Sequence, residues 1–149
     1  MKTYEEVRTI LSDIEPSEDT YSSLDTDDIP HLRQLLQENE PWLASRAVFA
    51  LSRLPTRDTD ALLLQAARDQ RSEVRVAAAV CSARLPTDVS DQVLDSLIDD
   101  QDLGVRKFAV QSITDASSDV LKQKLRRISS ADGNAFIKSI ATERLFNLR

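Results

Sequence analysis

The chain has 149 residues and a net charge of −6, with one cysteine, one histidine and two glycines. That length can bury a core without staples, and a single cysteine excludes a disulfide framework or a cysteine-based zinc cluster. Scarce glycine beside abundant Ala, Leu, Arg, Gln and Ser favours helices over sheet turns, so the predicted class is all-α.

The N-terminus, MKTYEEVRTILSDIE, carries acids where a secretory leader would carry its apolar core, and no run of about eighteen apolar residues occurs anywhere. A cytoplasmic chain that does not contact the membrane is expected. Charge is unevenly spread. Residues 1–41 hold eleven acids against Lys2, Arg8 and Arg33, whereas residues 120–149 hold seven basic residues against Asp132 and Glu143. One end is acidic and the other basic.

In chain order, Thr3 and Glu6 have capping-box spacing, and Tyr4, Val7, Ile10, Leu11 and Ile14 follow at helical intervals. A capping helix over 1–15 is predicted. Residues 16–26 are acidic and rich in Ser and Thr, with Tyr21 and Leu24 as their only apolar residues nearby, and read as a mobile connector. From there the sequence repeats. Leu54-Pro55-Thr56 returns 31 positions later as Leu85-Pro86-Thr87, and Val74-Arg75 returns 31 positions later as Val105-Arg106.

Each unit reads as two helices, A then B. The first unit, 27–57, has Thr26, Asp27 or Asp28 as N-cap, then Leu32, Leu35 and Leu36, a break at Asn39-Glu40-Pro41, and Leu43, Ala47, Ala50, Leu51 and Leu54 on the B helix. The second, 58–87, offers Leu63, Ala66 and Ala67, then Val74, Ala77, Ala78, Cys81 and Leu85. The third, 88–117, offers Leu94, Leu97 and Ile98, then Val105, Phe108, Ala109, Ser112 and Ile113. In the fourth, 118–149, Leu121, Leu125 and Ile128 precede Ile137, Ile140, Ala141, Leu145 and Leu148, and the B columns slip to a spacing of 32. The added residue is expected in the loop around Gly133, whose backbone freedom would accommodate it. An α-solenoid of about four helical hairpins with an N-terminal capping helix is predicted.

Two helices per unit of about thirty residues, with an acid in the turn and Val-Arg opening the B helix, resemble the bacterial HEAT-like repeats, including those related to phycobilisome lyases. The resemblance covers 27–149 and rests on Asp69 with Val74-Arg75-Val76-Ala77-Ala78 and Asp100 with Val105-Arg106-Lys107-Phe108-Ala109. The first unit departs from it, with Glu38 in the acidic slot but Ala44 for the arginine; the fourth has Asp132 with Lys138. The resemblance implies that turn acids and helix-start arginines form a ladder between neighbours, here Asp69, Arg75, Asp100 and Arg106, with B helices lining a concave face. It also implies one enzymatic possibility, a bilin lyase or chaperone of the phycobilisome type.

Helical geometry turns Ser45, Val48, Phe49 and Ser52 away from the stripe that begins at Leu43, and the same columns recur in later units. Phe49, Val48, Val76 and Val80 are therefore candidate apolar anchors for a protein partner, with Lys107 and Gln111 as polar rim. Trp42 either anchors an interface or seals the cap. The basic run Lys122, Lys124, Arg126 and Arg127 is either a solvated face or an acidic-partner site. Nucleic acid is not an expected partner, because the earlier A helices are acidic and no aromatics interleave the lysines. No cofactor or metal is expected: His31 is the only histidine, Cys81 lies among Ala and Val, and Asp99, Asp100 and Asp102 do not fit a calcium loop. The expected function is a non-catalytic adaptor or scaffold, with the bilin lyase as alternative. The opposite charge of the two ends also offers a route to self-association.

Overall fold

The computed structural model describes residues 1–149 and holds ten α-helices and no strand. α1 (Tyr4–Leu11) and α2 (Glu18–Ser22) precede four hairpins: α3 (Ile29–Leu35) with α4 (Pro41–Leu51), α5 (Arg57–Ala66) with α6 (Ser72–Cys81), α7 (Thr87–Leu97) with α8 (Leu103–Gln111), and α9 (Asp119–Ala131) with α10 (Ala135–Asn147). The B helices α4, α6, α8 and α10 pack one after another into a layer, and α5, α7 and α9 form a second layer behind it. This is an α-solenoid of stacked helical hairpins headed by short N-terminal helices.

Local chemistry sets the helix starts. Thr3 Oγ1 accepts the Glu6 N–H and the Glu6 carboxylate accepts the Thr3 N–H, both at 3.2 Å, closing the capping box of α1. Asp102, Ser118 and Asn134 cap α8, α9 and α10 through their side chains. The start of α3 agrees with the sequence reading in position but not in its bonding. Asp28, one of the three expected residues, is the N-cap of α3 but makes no side-chain cap bond there, and Asp25 caps a 3₁₀ turn at Thr26–Asp28 that runs directly into the helix. Asp28 is thereby freed for another task. Its buried carboxylate accepts the Asp25 N–H at 2.9 Å and the Lys2 ammonium at 3.1 Å, which ties the N-terminus to the first hairpin.

A hairpin of about thirty residues buries too little apolar surface alone, so its core must be shared with its neighbours. One continuous apolar cluster accordingly runs from Val7 to Ala141. Ala47, Ala78, Ala109 and Ala141 occupy the same column in the four B helices, and all are fully buried. A methyl group there lets adjacent helices approach closely. The A helices contribute Leu32, Leu63, Leu94 and Leu125, again one column and again fully buried.

This layer corrects one sequence expectation. Val48 is fully buried, as are Ala79 and Val110 in its column, so it is a core residue and not an exposed anchor. The one-stripe reading assumes a helix with a single buried side. α4 is covered by α3, by α6 on one flank and by α1 on the other, and α6 and α8 by B helices on both flanks, leaving a narrow strip in water. In the fourth hairpin polar residues replace the apolar ones in the same columns. Thr142 follows Val48, Ala79 and Val110, Ser129 follows Ala67 and Ile98, and the two hydroxyls bond each other at 2.7 Å.

Two further expectations change. Residues 16–26 do not hang free: α2 forms within them, and Tyr21 and Leu24 are buried in the shared core. Gly133 does not use its backbone freedom, since no residue has positive φ and a Cβ at that position would meet nothing. The lengthened loop is instead shaped by Asp132, whose Oδ1 accepts the Asn134 N–H at 2.8 Å.

The burial pattern separates two valines. Val48→Asp should destabilise the chain by the ~3–5 kcal/mol of an uncompensated buried charge, whereas Val80→Asp, at a side chain 40% exposed, should leave the urea midpoint nearly unchanged. Equal losses for both variants in urea titrations would contradict this assignment of the core.

Candidate functional site

The strip that the B layer leaves in water carries two adjacent columns: Ser45, Val76 and Lys107, then Phe49, Val80 and Gln111. Phe49 and Val76 are half-buried and rest on the core, while Val80 and Gln111 are exposed. Lys107 is half-buried, its ammonium 5.2 Å from the ring centre of Phe108 and 5.8 Å from that of Phe136. The period thus brings Phe49, Val76, Val80, Lys107 and Gln111 onto one surface, apolar toward the N-terminal hairpins and polar toward the third. Val48 is absent from it.

Sequence reasoning overlooked the next column, Arg53 and Arg84, four residues beyond Phe49 and Val80. Arg53 Nε donates to Glu18 Oε2 at 2.9 Å and its Nη2 donates to Oε1 of the same carboxylate. The Arg53 guanidinium also lies 4.3 Å from the ring centre of Tyr21 and donates through Nη1 to the Phe49 carbonyl at 2.5 Å. Arg84 Nη2 reaches Glu18 Oε1 at 3.3 Å. These bonds, Arg53 first, hold the Glu18 carboxyl below the usual carboxylate range. The signal was present in the repeat, because Arg53 and Arg84 are themselves 31 residues apart.

At the turn ends of the hairpins, arginines join one unit to the next. Arg75 forms a two-pronged pair with Asp100, at 2.9 and 3.1 Å, and its Nη1 donates to the carbonyls of Asp69 and Gln70 at 2.9 and 3.0 Å. Arg106 also pairs with Asp132 one unit further on, through a single bond from Nη2 to Oδ2. Asp69, however, faces Arg71, whose Nε and Nη2 hold both its oxygens at 2.9 and 3.0 Å. Arg71 reaches back across the first unit to the carbonyls of Leu36 and Glu38, at 2.7 and 2.5 Å. It fills the place left by Ala44, where a helix-start arginine is missing. Arg46 does similar work at the N-terminal end, donating to the carbonyls of Leu11, the last residue of α1, and of Asp13 just beyond it.

The remaining candidates are accounted for locally. Trp42 is 45% exposed, with the Arg46 guanidinium 5.1 Å from its ring and its indole N–H on Glu40 at 3.3 Å, so it does not seal the cap. His31 is half-buried, with Nε2 3.0 Å from the Lys2 carbonyl. Burial pushes the Cys81 thiol up to about 11, which leaves it unreactive at neutral pH. Lys124 pairs with Asp95 at 2.7 Å, whereas Arg126 and Arg127 stand exposed without ion pairs. Asp100 and Asp102 are engaged as a rung and a helix cap, and no three His, Cys, Asp or Glu side chains converge to hold a metal ion. The largest cleft, about 740 Å³, lies on the opposite surface, along α5 between the turn at Gln37–Asn39 and α7. Its walls are polar, including Gln65, Arg68 and Gln92.

Compared with known families, the chain matches HEAT repeats over residues 29–114, more than half its length. No curated protein matches it. No helix is long and apolar enough to cross a membrane.

The rungs make a pH-dependent contribution to stability. Arg71 holds the Asp69 carboxyl below its usual range; at Asp132 burial acts upward, but the Asn134 N–H and Arg106 outweigh it and the carboxyl again lies low. A depressed folded value means that the contribution is complete above the ordinary carboxylate range and is lost as pH falls through the folded value. Arg71→Leu should cost about 1–3 kcal/mol at neutral pH, because the Leu36 and Glu38 carbonyls lose their donor, and should shrink the loss of stability on acidification. Urea titrations across that pH range check both; an unchanged acid limb would contradict the role of the Asp69 pair.

Proposed function

The chain belongs to the HEAT-repeat family, and on that premise we propose that it is a non-catalytic protein-binding scaffold whose B-helix face holds a segment of a partner. The observation that carries this reading is Val80. It stands 40% exposed at the centre of the strip, beside half-buried Phe49 and Val76, although the same helix keeps Ala77, Ala78 and Ala79 fully covered. An apolar floor with a polar margin, here Lys107 and Gln111, suits a helix or extended segment laid across the repeats. A rigid array displays such a surface without rearranging, because α6 and α8, which carry most of the strip, are held by B helices on both flanks.

The finer possibility within the family, a bilin lyase or chaperone of the phycobilisome type, requires a polar cleft of ligand size on the B-helix face. The largest cleft lies on the A-helix side, and the polar cleft on the B-helix face, beside Gln111, Glu143 and Arg144, holds only about 270 Å³. The scaffold reading is therefore the better supported of the two.

Affinity capture from the native host tests it, with wild-type protein beside Phe49→Ala, Val80→Asp and, on the A-helix side, Gln92→Asp. A genuine anchor should weaken capture of a specific partner by about tenfold, corresponding to ~1–3 kcal/mol, while Gln92→Asp leaves it intact. A partner retained by both B-face variants would overturn the assignment, and a co-purifying chromophore in place of a protein would turn the reading to the lyase.

A further inference from the structure

The column beyond the apolar floor shows what chemistry the surface recognises. Arg53 and Arg84 project from adjacent repeats, each four residues past an apolar side chain of the strip, and both converge on one carboxylate, that of Glu18. The third repeat places Asp115 in this column, so the basic subsite is confined to the first two repeats. Glu18 makes a two-pronged pair to Arg53, whose side chain is 17% exposed, and a single bond to Arg84. The Glu18 side chain is 68% exposed and the Arg84 side chain 48% exposed, and Arg84 forms no other ion pair. Tyr21 and Leu24, in contrast, are buried, so the body of α2 is part of the fold while its acid lies over the arginines from outside. The carboxylate can leave without unfolding the segment that carries it.

We propose that Arg53 and Arg84 form a carboxylate clamp for an acidic segment of a protein partner, which seats an apolar side chain on Phe49 and Val80 and, one helical turn away, an Asp or Glu in place of Glu18. This rests on the scaffold reading and specifies the partner's chemistry. Guanidinium pairs suit the task because their planar forks bind carboxylates through two bonds each. Glu18 acts as a competitor in cis. An exposed ion pair is weak enough for a partner that also buries apolar surface to displace it.

The test uses the full-length chain and two short Ala/Gln helical peptides, one carrying Leu and Glu one turn apart and the other Leu and Gln, titrated by NMR on the amide and arginine Nε–H signals. Glu18→Gln should bind the Leu/Glu peptide about three- to fivefold more tightly than wild type, since the competing carboxylate and its solvent-screened pairs to both arginines are gone. Arg84→Gln should weaken that peptide by a similar factor, and the Leu/Gln peptide should respond to neither substitution. Because Arg84 is exposed and its only polar partner is Glu18, this variant is expected to fold. The clamp is overturned if both peptides bind Glu18→Gln equally, if Glu18→Gln and wild type bind alike, or if neither peptide binds any variant. Should both peptides bind equally and both be lost in Val80→Asp, the apolar surface stands and the clamp alone fails.

Discussion

Side-by-side packing of the B helices governs the rest of this molecule. No single hairpin encloses a core, so each must share one with its neighbours, and the sharing is possible because Ala47, Ala78, Ala109 and Ala141 hold one column to a methyl group. Close approach then buries the next column as well, including Val48, Ala79 and Val110, and fixes which strip of each helix is left to water. The exposed surface is the remainder of a packing problem. In the fourth hairpin the same columns carry Ser129 and Thr142, whose hydroxyls bond each other.

Arginine supplies the second ordering principle. The ends of stacked helices leave carbonyls without partners, and Arg46, Arg71 and Arg75 donate to those at α1, α3 and α5 respectively. Several also hold a carboxylate, so one side chain joins two units through both charge and backbone. Where the repeat lacks the residue that would do this, at Ala44, a different arginine from the following unit reaches the same region. The requirement is conserved in space although the position is not.

Much of this was legible in the sequence. The 31-residue period, the two Leu-Pro-Thr stops and the Val-Arg starts specify hairpins, their number and their apolar stripes. Helical geometry also identifies Phe49 and Val80 as facing away from the Leu43 stripe. It misplaces Val48 because periodicity reports the strongest apolar stripe of a helix and not how many sides its neighbours cover. Arg46 and Arg71 were missed for a different reason: their partners lie 33 to 35 residues away, and a long flexible side chain leaves no trace of its reach in local spacing. The stretch 16–26 misled through composition, since two apolar residues, Tyr21 and Leu24, are enough to dock an otherwise acidic segment.

Fold and proposed task meet in the claim that the uncovered strip of the B layer is the surface that partners use, while the A helices serve as its backing. Site-specific photo-crosslinking in the native host addresses this directly, with a benzophenone side chain placed at Val80 or Gln111 on one surface and at Gln92 or Gln123 on the other. All four positions are exposed, so each can carry the probe without disturbing the core. The account predicts a shared crosslinked product from 80 and 111 and none of it from 92 and 123. The same product arising from the A-helix positions, with 80 and 111 silent, would contradict it.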